Sequence, residues 1–248
     1  MLEVRNLSKI YEQKDGTPLK ALTDINISFP EKGMVFLLGK SGSGKSTLLN
    51  ICSGLDAPTS GEIMVKGRSS KDFSQLDFDS YRNTFVGFVF QEYHILNEFS
   101  VSDNISLALE LQDKPKDPVL IEKILNEVGL HNFADRSPST LSGGEKQRIA
   151  IARALVKKPE IIMADEPTGA LDSETGKQIF ELLKNMSKDK LIIVVSHDRD
   201  FANQYADRII ELKDGKVISD ISKVTEHQVS VSQNIEYIGN SLHIKDGA

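Results

Sequence analysis

An α/β fold in three parts follows from three observations on the sequence. A glycine-rich turn at residues 39–46 lies between an apolar run at 34–38 and the opening of a helix. Two further runs, 161–164 and 191–195, are apolar at every position and are separated by an amphipathic helical stretch. Strands without alternation, spaced by helices, predict a mainly parallel central sheet covered on both faces. Residues 92–140 show helical spacing and no strand pattern, which predicts an α-helical subdomain inserted into that core. The expected whole adds an N-terminal antiparallel β-subdomain.

The elements are expected in this order. Residues 1–29 carry patches at Leu2/Val4 and Leu22/Ile25/Ile27/Phe29 around an Asp15-Gly16-Thr17-Pro18 turn, which predicts an antiparallel ribbon with Tyr11 at the end of its first strand. The strand at 34–38 feeds a helix from Lys45 to about Gly54, and Ile63-Met64-Val65 returns as a strand. A short helix over 77–82 and a strand over 85–90 deliver Gln91. Ser102 and Asp103 read as the cap of a helix over 104–109. Leu120, Ile121, Ile124, Leu125 and Val128 predict a second helix that stops at Gly129. Then come a helix over 145–158, a strand ending in Asp165 and Glu166, a helix over 173–186, and the strand at 191–195. A short helix at 201–206, a strand at 208–212 and an Asp214-Gly215 hairpin into 216–218 close the order.

Composition bounds the function. The 248 residues suit one large α/β domain or a core with a smaller subdomain. With 39% apolar and 27% charged residues, the chain reads as folded rather than disordered. A net charge of −6 argues against a general nucleic-acid binder, which needs a basic face. No apolar run approaches the length of a membrane span. The single cysteine, Cys52, has no partner for an internal disulfide and fits a reducing compartment.

The chemistry starts at Gly39, Lys40, Ser41, Gly42, Ser43, Gly44, Lys45 and Ser46, which have the spacing GxxxxGK[ST] of a phosphate-binding loop. Glycines there let successive backbone N–H groups face one anion, and the helix N-terminus, continuing through Thr47, adds positive potential. Lys45 is expected to reach the β- and γ-phosphates, and the Ser46 hydroxyl to ligate Mg²⁺. Asp165, at the end of a second buried strand, is placed to hold the same Mg²⁺. Glu166 is placed to take a proton from the attacking water or to orient it. The turn Leu141-Ser142-Gly143-Gly144-Glu145 is open to two readings, an ordinary helix cap or a second anion cradle that completes another subunit's site.

Taken together these motifs resemble the nucleotide-binding domain of ABC transporters, a P-loop NTPase fold, over nearly everything from residue 2 to about 220. LSGGE at 141–145 matches the family's signature, residues 39–46 its Walker A loop, and residues 161–165 its Walker B strand. The resemblance implies that Tyr11 stacks on adenine and that Gln91 approaches Mg²⁺ and water. It implies Glu166 as the catalytic glutamate, Asp172 in the D-loop at 170–172, and His197 as the switch histidine at the γ-phosphate. It further implies an ATP hydrolase working as a head-to-tail dimer with a second nucleotide-binding domain. Each Mg-ATP then lies between Lys45 of one copy and Ser142, Gly143, Gly144 and Glu145 of the other.

The resemblance also implies a transmembrane permease partner, as a subunit or a fused domain, and a peripheral position on the cytoplasmic face of the membrane. The permease is expected to contact residues 93–102, where His94, Ile95, Leu96 and Phe99 offer apolar surface. Residues 87–91 and 165–169 look like the branch that includes macrolide-efflux, lipoprotein-release, cell-division and antimicrobial-peptide resistance systems. Lys40 and Ala170 depart from that branch, which often has a proline or small residue and an asparagine there. The alternative class is a soluble ABC-type ATPase acting on ribosomes or DNA. The domain is expected to span residues 1–222, with its helical subdomain at about 92–158. Residues 223–248 form an extension that alternates like strands at 229–237, repeats a hairpin signal at 242–247, and suggests a longer polypeptide.

Overall fold

The computed structural model describes residues 1–223 and the backbone of two short paired strands, Tyr237–Ile238 and Ser241–Leu242. Strands β1 (Leu2–Glu12) and β2 (Pro18–Ser28) form the antiparallel ribbon, joined through a turn at Gly16. Strand β3 (Gly33–Leu38) enters the second sheet and is followed by helix α1 (Lys45–Cys52). Strands β4 (Ser60–Val65) and β5 (Arg68–Ser69) complete a four-stranded antiparallel sheet in the order β2-β1-β4-β5.

The main sheet is built from strands far apart in sequence. Helix α2 (Gln75–Ser80) runs on through a π-helical turn, Tyr81–Phe85, into β6 (Val86–Val89). Next come the insertion helices α3 (Val101–Glu110) and α4 (Pro118–Glu127), and then α5 (Gly143–Leu155). Strand β7 (Ile161–Asp165), helix α6 (Ser173–Met186), strand β8 (Leu191–Ser196), helix α7 (Arg199–Tyr205) and strands β9 (Arg208–Lys213) and β10 (Lys216–Ser222) follow. The sheet order is β10-β9-β3-β8-β7-β6, with every neighbour parallel except the β9–β10 hairpin. The mainly parallel α/β sheet, the antiparallel β-subdomain and the helical insertion all agree with the sequence reading.

Alternation along the central strands divides the core. Val35, Leu37, Met163, Ile193 and Val195 face α1 and the antiparallel sheet. Phe36, Leu38, Ile162, Ile192 and Val194 face the helical layer, where Phe36 packs against Phe180 with ring centroids 5.5 Å apart. Both faces are therefore apolar, and the strands read as unbroken hydrophobic runs. Each such buried side chain contributes about 1.5–3 kcal/mol relative to exposure.

Several boundaries differ from the sequence expectation. Helix α3 is capped by Ser100, not Ser102: Asp103 accepts from the Ser100 amide and hydroxyl, and its own amide donates to Ser100 Oγ. Three residues separate the partners of such a box, so Asp103 selects Ser100. Helix α5 starts at Gly143, and α7 starts at Arg199 because Asp198 caps it. Strand β10 runs on to Ser222, aided by the Arg208–Asp220 ion pair at 2.6 Å across the hairpin. The alternation at 229–237 and the hairpin signal at 242–247 lie outside the described residues, apart from the pairing of Tyr237 with Leu242 and Ile238 with Ser241.

The register fixes the place of the chemistry. Leu38 pairs with Ser196, and Asp165 pairs with Val195. The turns at residues 39, 166 and 197 therefore leave the sheet at one edge, the carboxyl ends of its parallel strands. Open α/β sheets bind ligands at that edge.

Candidate nucleotide site

The phosphate loop closes around its own lysine. Lys45 is 7% exposed, and its Nζ donates to the carbonyls of Gly39 at 2.8 Å and Lys40 at 3.0 Å. Gly44 caps α1 with φ 100° in the left-handed region, and a Cβ there would lie 2.6 Å from the Ala21 carbonyl of β2. Only glycine meets both demands. The helix N-terminus thus opens onto the loop with no side chain in front of it.

Two acidic residues stand beside it. Ser46 Oγ donates to Asp165 Oδ1 at 3.1 Å, so the two oxygens expected to hold Mg²⁺ are adjacent. Burial pushes the Asp165 carboxyl above its ordinary value against the pull of the Ser46 hydrogen bond, and the neighbouring Glu166 charge adds to the rise. Glu166 has φ 46°, a left-handed backbone that costs a residue with a side chain. Its amide donates to the Val195 carbonyl at 3.0 Å and its carbonyl accepts from Gly169, which holds the strained conformation. His197 Nδ1 lies 3.0 Å from both Glu166 oxygens.

A cleft of about 740 Å³ joins Lys45, Ser46, Glu166 and His197, while Asp165 meets it only through its hydrogen bond from Ser46. Tyr11, Lys40, Ser41, Gly42, Gly44, Lys45, Ser46, Thr47, Gln91, Glu166 and His197 all line it, residues drawn from both sheets. Gly39 and Ser43 sit beneath the loop: Ser43 is 5% exposed, and a side chain at 39 would strike its hydroxyl and the Leu212 carbonyl. Leu19, Lys20 and Ala21 also line the cleft and were not singled out from the sequence. They arrive through the hairpin register that pairs Tyr11 with Leu19.

The signature turn lies elsewhere. Ser142 caps α5 in a reciprocal box: Glu145 Oε2 accepts from the Ser142 amide and hydroxyl, both at 2.8 Å, which holds its carboxyl below the usual range. Gly143 faces the Tyr93 hydroxyl, and Gly144 faces Thr175. Asp172 caps α6, accepting from the Thr175 amide at 3.0 Å and hydroxyl at 2.7 Å. None of Ser142, Gly143, Gly144, Glu145 or Asp172 lines the cleft of its own chain.

Among the described residues, no group of three or more His, Cys, Asp or Glu side chains could hold a metal ion by itself. A hard cation at Ser46 and Asp165 would need further oxygen donors, which the phosphates of a nucleotide supply. The residues present fit Mg²⁺ on those terms.

Comparison with known proteins gives the chain its family. The family model described as "ABC transporter" matches residues 22–169. An uncharacterised ABC transporter ATP-binding protein of Methanocaldococcus jannaschii is 39% identical over 226 residues, covering 90% of this chain and 100% of that protein. The lipoprotein-releasing system ATP-binding protein LolD of Colwellia psychrerythraea is 39% identical, covering 88% of this chain and 85% of LolD. The macrolide export ATP-binding/permease protein MacB of Psychrobacter arcticus is 40% identical over 94% of this chain, which spans 35% of MacB. A solved dimeric structure of a bacterial ABC transporter cassette superposes with a TM-score of 0.82 at 36% identity, covering 91% of this chain and all of that one. The same cassette has been solved as a post-hydrolysis dimer with ADP and Pi, again at a TM-score of 0.82. With its site gathered at the strand ends and its family model spanning more than half of its length, this chain belongs to the ABC transporter family, as an ATP-binding, ATP-hydrolysing cassette.

Proposed function

We propose that this cassette hydrolyses Mg-ATP at a site shared between two copies and uses the cycle to move a membrane permease. The observation that carries this reading is the separation of its two anion cradles. The loop at 39–46 opens into the cleft, whereas the turn at Ser142 presents a helix N-terminus outside it. One ATP touches both only if a second copy supplies the turn, which is the head-to-tail arrangement the family resemblance implies.

The residues then divide the work. Lys45 exchanges loop carbonyls for phosphate oxygens, and the α1 amides face the same anion. Ser46 and Asp165, with Gln91 nearby, hold Mg²⁺, which neutralises charge on the phosphates when bound. Glu166 orients a water whose oxygen attacks the γ-phosphorus and takes up the proton released. The bond to the β–γ bridging oxygen breaks, and ADP leaves with the electron pair. His197, held against the Glu166 carboxylate, reaches the γ-phosphate. Catalysis of this type is mostly positioning and electrostatics.

A groove of about 440 Å³ is the surface best suited to the permease. Its walls include Phe88, Phe90 and Leu107, and its lining includes Arg82, Arg153 and Lys157 but no acidic residue. Arg153 and Lys157 both have their pKa lowered by burial, Lys157 to about 8 with Arg153 adding to the fall. An apolar cytoplasmic segment carrying a carboxylate complements that lining. Of the neighbouring span, Leu96 and Phe99 are exposed, His94 packs at a tilt against Phe90, and Ile95 packs inward. The relatives named for lipoprotein release and macrolide export support a transporter partner. Light scattering tests the shared site: the Glu166→Gln variant is expected as a dimer at saturating Mg-ATP, and a monomer there overturns it.

A further inference from the structure

Tyr11 lines one end of the cleft, and two side chains from distant parts of the chain, Lys9 and Asp56, hold it there from outside the lining. Tyr11 lies near the end of β1, 36% exposed, and its hydroxyl donates to Asp56 Oδ2 at 2.6 Å. Lys9, two residues back on the same strand face, donates its ammonium to Asp56 Oδ1 at 2.6 Å and to the Ala57 carbonyl at 2.6 Å. That ammonium also lies 4.7 Å from the centroid of the Tyr11 ring. Side-chain exposure is 12% for Lys9 and 29% for Asp56. Burial opposes the Asp56 charge, yet the hydrogen bonds from Lys9, Tyr11 and the Ala57 amide hold its carboxyl below the usual range.

The loop that carries Asp56 is itself fixed to α1. The amides of Leu55 and Asp56 donate to the Asn50 carbonyl, Thr59 N donates to the Ser8 carbonyl, and Ile10 N donates to Thr59 Oγ1. The helix that presents its N-terminus to the phosphate loop therefore also holds, through its C-terminal loop, the ring of Tyr11.

We infer that Asp56 and Lys9 are positioning residues for nucleobase recognition, holding the Tyr11 ring as a fixed platform in the cleft. This rests on the proposed Mg-ATP site and on the base-stacking role that the family resemblance implies for Tyr11. An untethered tyrosine at a strand end loses rotamer freedom when a base stacks on it, and that loss subtracts from affinity. The tether removes the loss before nucleotide arrives. Lys9 covers one face of the ring and leaves the other to the base.

Equilibrium calorimetry on the full chain with Mg²⁺, using ATP and inorganic triphosphate as separate probes, tests this. Asp56→Ala and Tyr11→Phe are each expected to weaken ATP about 3- to 10-fold and to leave triphosphate affinity in place. The double variant is expected to bind no more weakly than the worse single variant, because both remove the hydrogen bond from Tyr11 to residue 56. In steady-state kinetics the effect falls on KM for ATP rather than on kcat. Equal weakening of ATP and triphosphate by Asp56→Ala would mark a role in folding alone and overturn the inference. Unchanged ATP binding by Asp56→Ala, beside a loss of about tenfold or more in Tyr11→Ala, overturns the tether and keeps Tyr11 as the platform. Unchanged ATP binding in Tyr11→Ala removes the platform and the tether together.

Discussion

The imidazole Nδ1 of His197 stands 3.0 Å from both carboxylate oxygens of Glu166, and only one of the two residues is rigidly placed. Glu166 is pinned by its backbone bonds to Val195 and Gly169 and has a side chain 19% exposed. The His197 side chain is 73% exposed. The carboxylate is the fixed member of the pair, and the histidine follows it.

That asymmetry orders two substitutions. Glu166→Gln is expected to lower steady-state ATP hydrolysis by at least about 100-fold with ATP binding retained. His197→Ala is expected to cost less, about 10- to 100-fold in kcat. Phosphate-release assays on both variants check the ranking, and a more severe His197→Ala would reverse it.

Asp165 is expected to trade stability for chemistry. Its folded pKa is raised, so its contribution is favourable below the ordinary carboxylate value and is lost as pH rises through the folded value. At neutral pH the buried charge is a cost. Asp165→Asn keeps an oxygen for the Ser46 hydroxyl and removes that cost, so Tm should rise by about 1–3 °C at neutral pH while hydrolysis is lost. Thermal melts should show the gain shrinking as pH falls toward about 4.

Lys157 titrates in the opposite sense. Burial lowers its folded pKa to about 8 from 10.5, so between those values the unfolded chain holds the extra proton and the folded state gains stability with pH. Lys157→Met loses the bonds to the Arg82 and Val86 carbonyls and has no such gain. Denaturation at intervals of pH should show wild type drawing further ahead of the variant from pH 8 to 10.5. A constant gap contradicts the buried-cation account.

Ser142 caps its own helix, and the proposed shared site gives it a second, separable duty. Ser142→Ala removes the cap of α5 and should cost about 1 kcal/mol of stability. Ser142→Asn keeps a good capping side chain and should stay within about 0.5 kcal/mol of wild type. Both should weaken ATP-driven dimerisation, read by light scattering in the Glu166→Gln background. If Ser142→Asn dimerises normally, the hydroxyl has no role beyond its own helix.

Much of this was legible in the chain because local pattern and tertiary role coincide there. The apolar strands at 161–164 and 191–195 are buried on both faces, and the spacing of Gly39, Gly44 and Lys45 encodes a loop geometry that needs few distant contacts. The start of α3 was misplaced although the sequence held the answer, since Asp103 is three residues from Ser100 and one from Ser102. Leu19, Lys20 and Ala21 were out of reach for another reason. Their place in the cleft depends on hairpin register across a bulged ribbon, which no single stretch of residues states. The same holds for Lys9 and Asp56, 47 residues apart, whose meeting depends on α1 returning its C-terminal loop to the end of β1.

The position of the Ser142 turn outside its own cleft has a genetic consequence. In a head-to-tail pair, a defect at Ser142 is suffered by the neighbour, whereas a defect at Lys45 stays at home. Mixing a Lys45→Ala chain with a Ser142→Ala chain therefore yields heterodimers with one doubly damaged site and one wholly intact site. Two defective alleles should complement each other in part, and two copies of either should not.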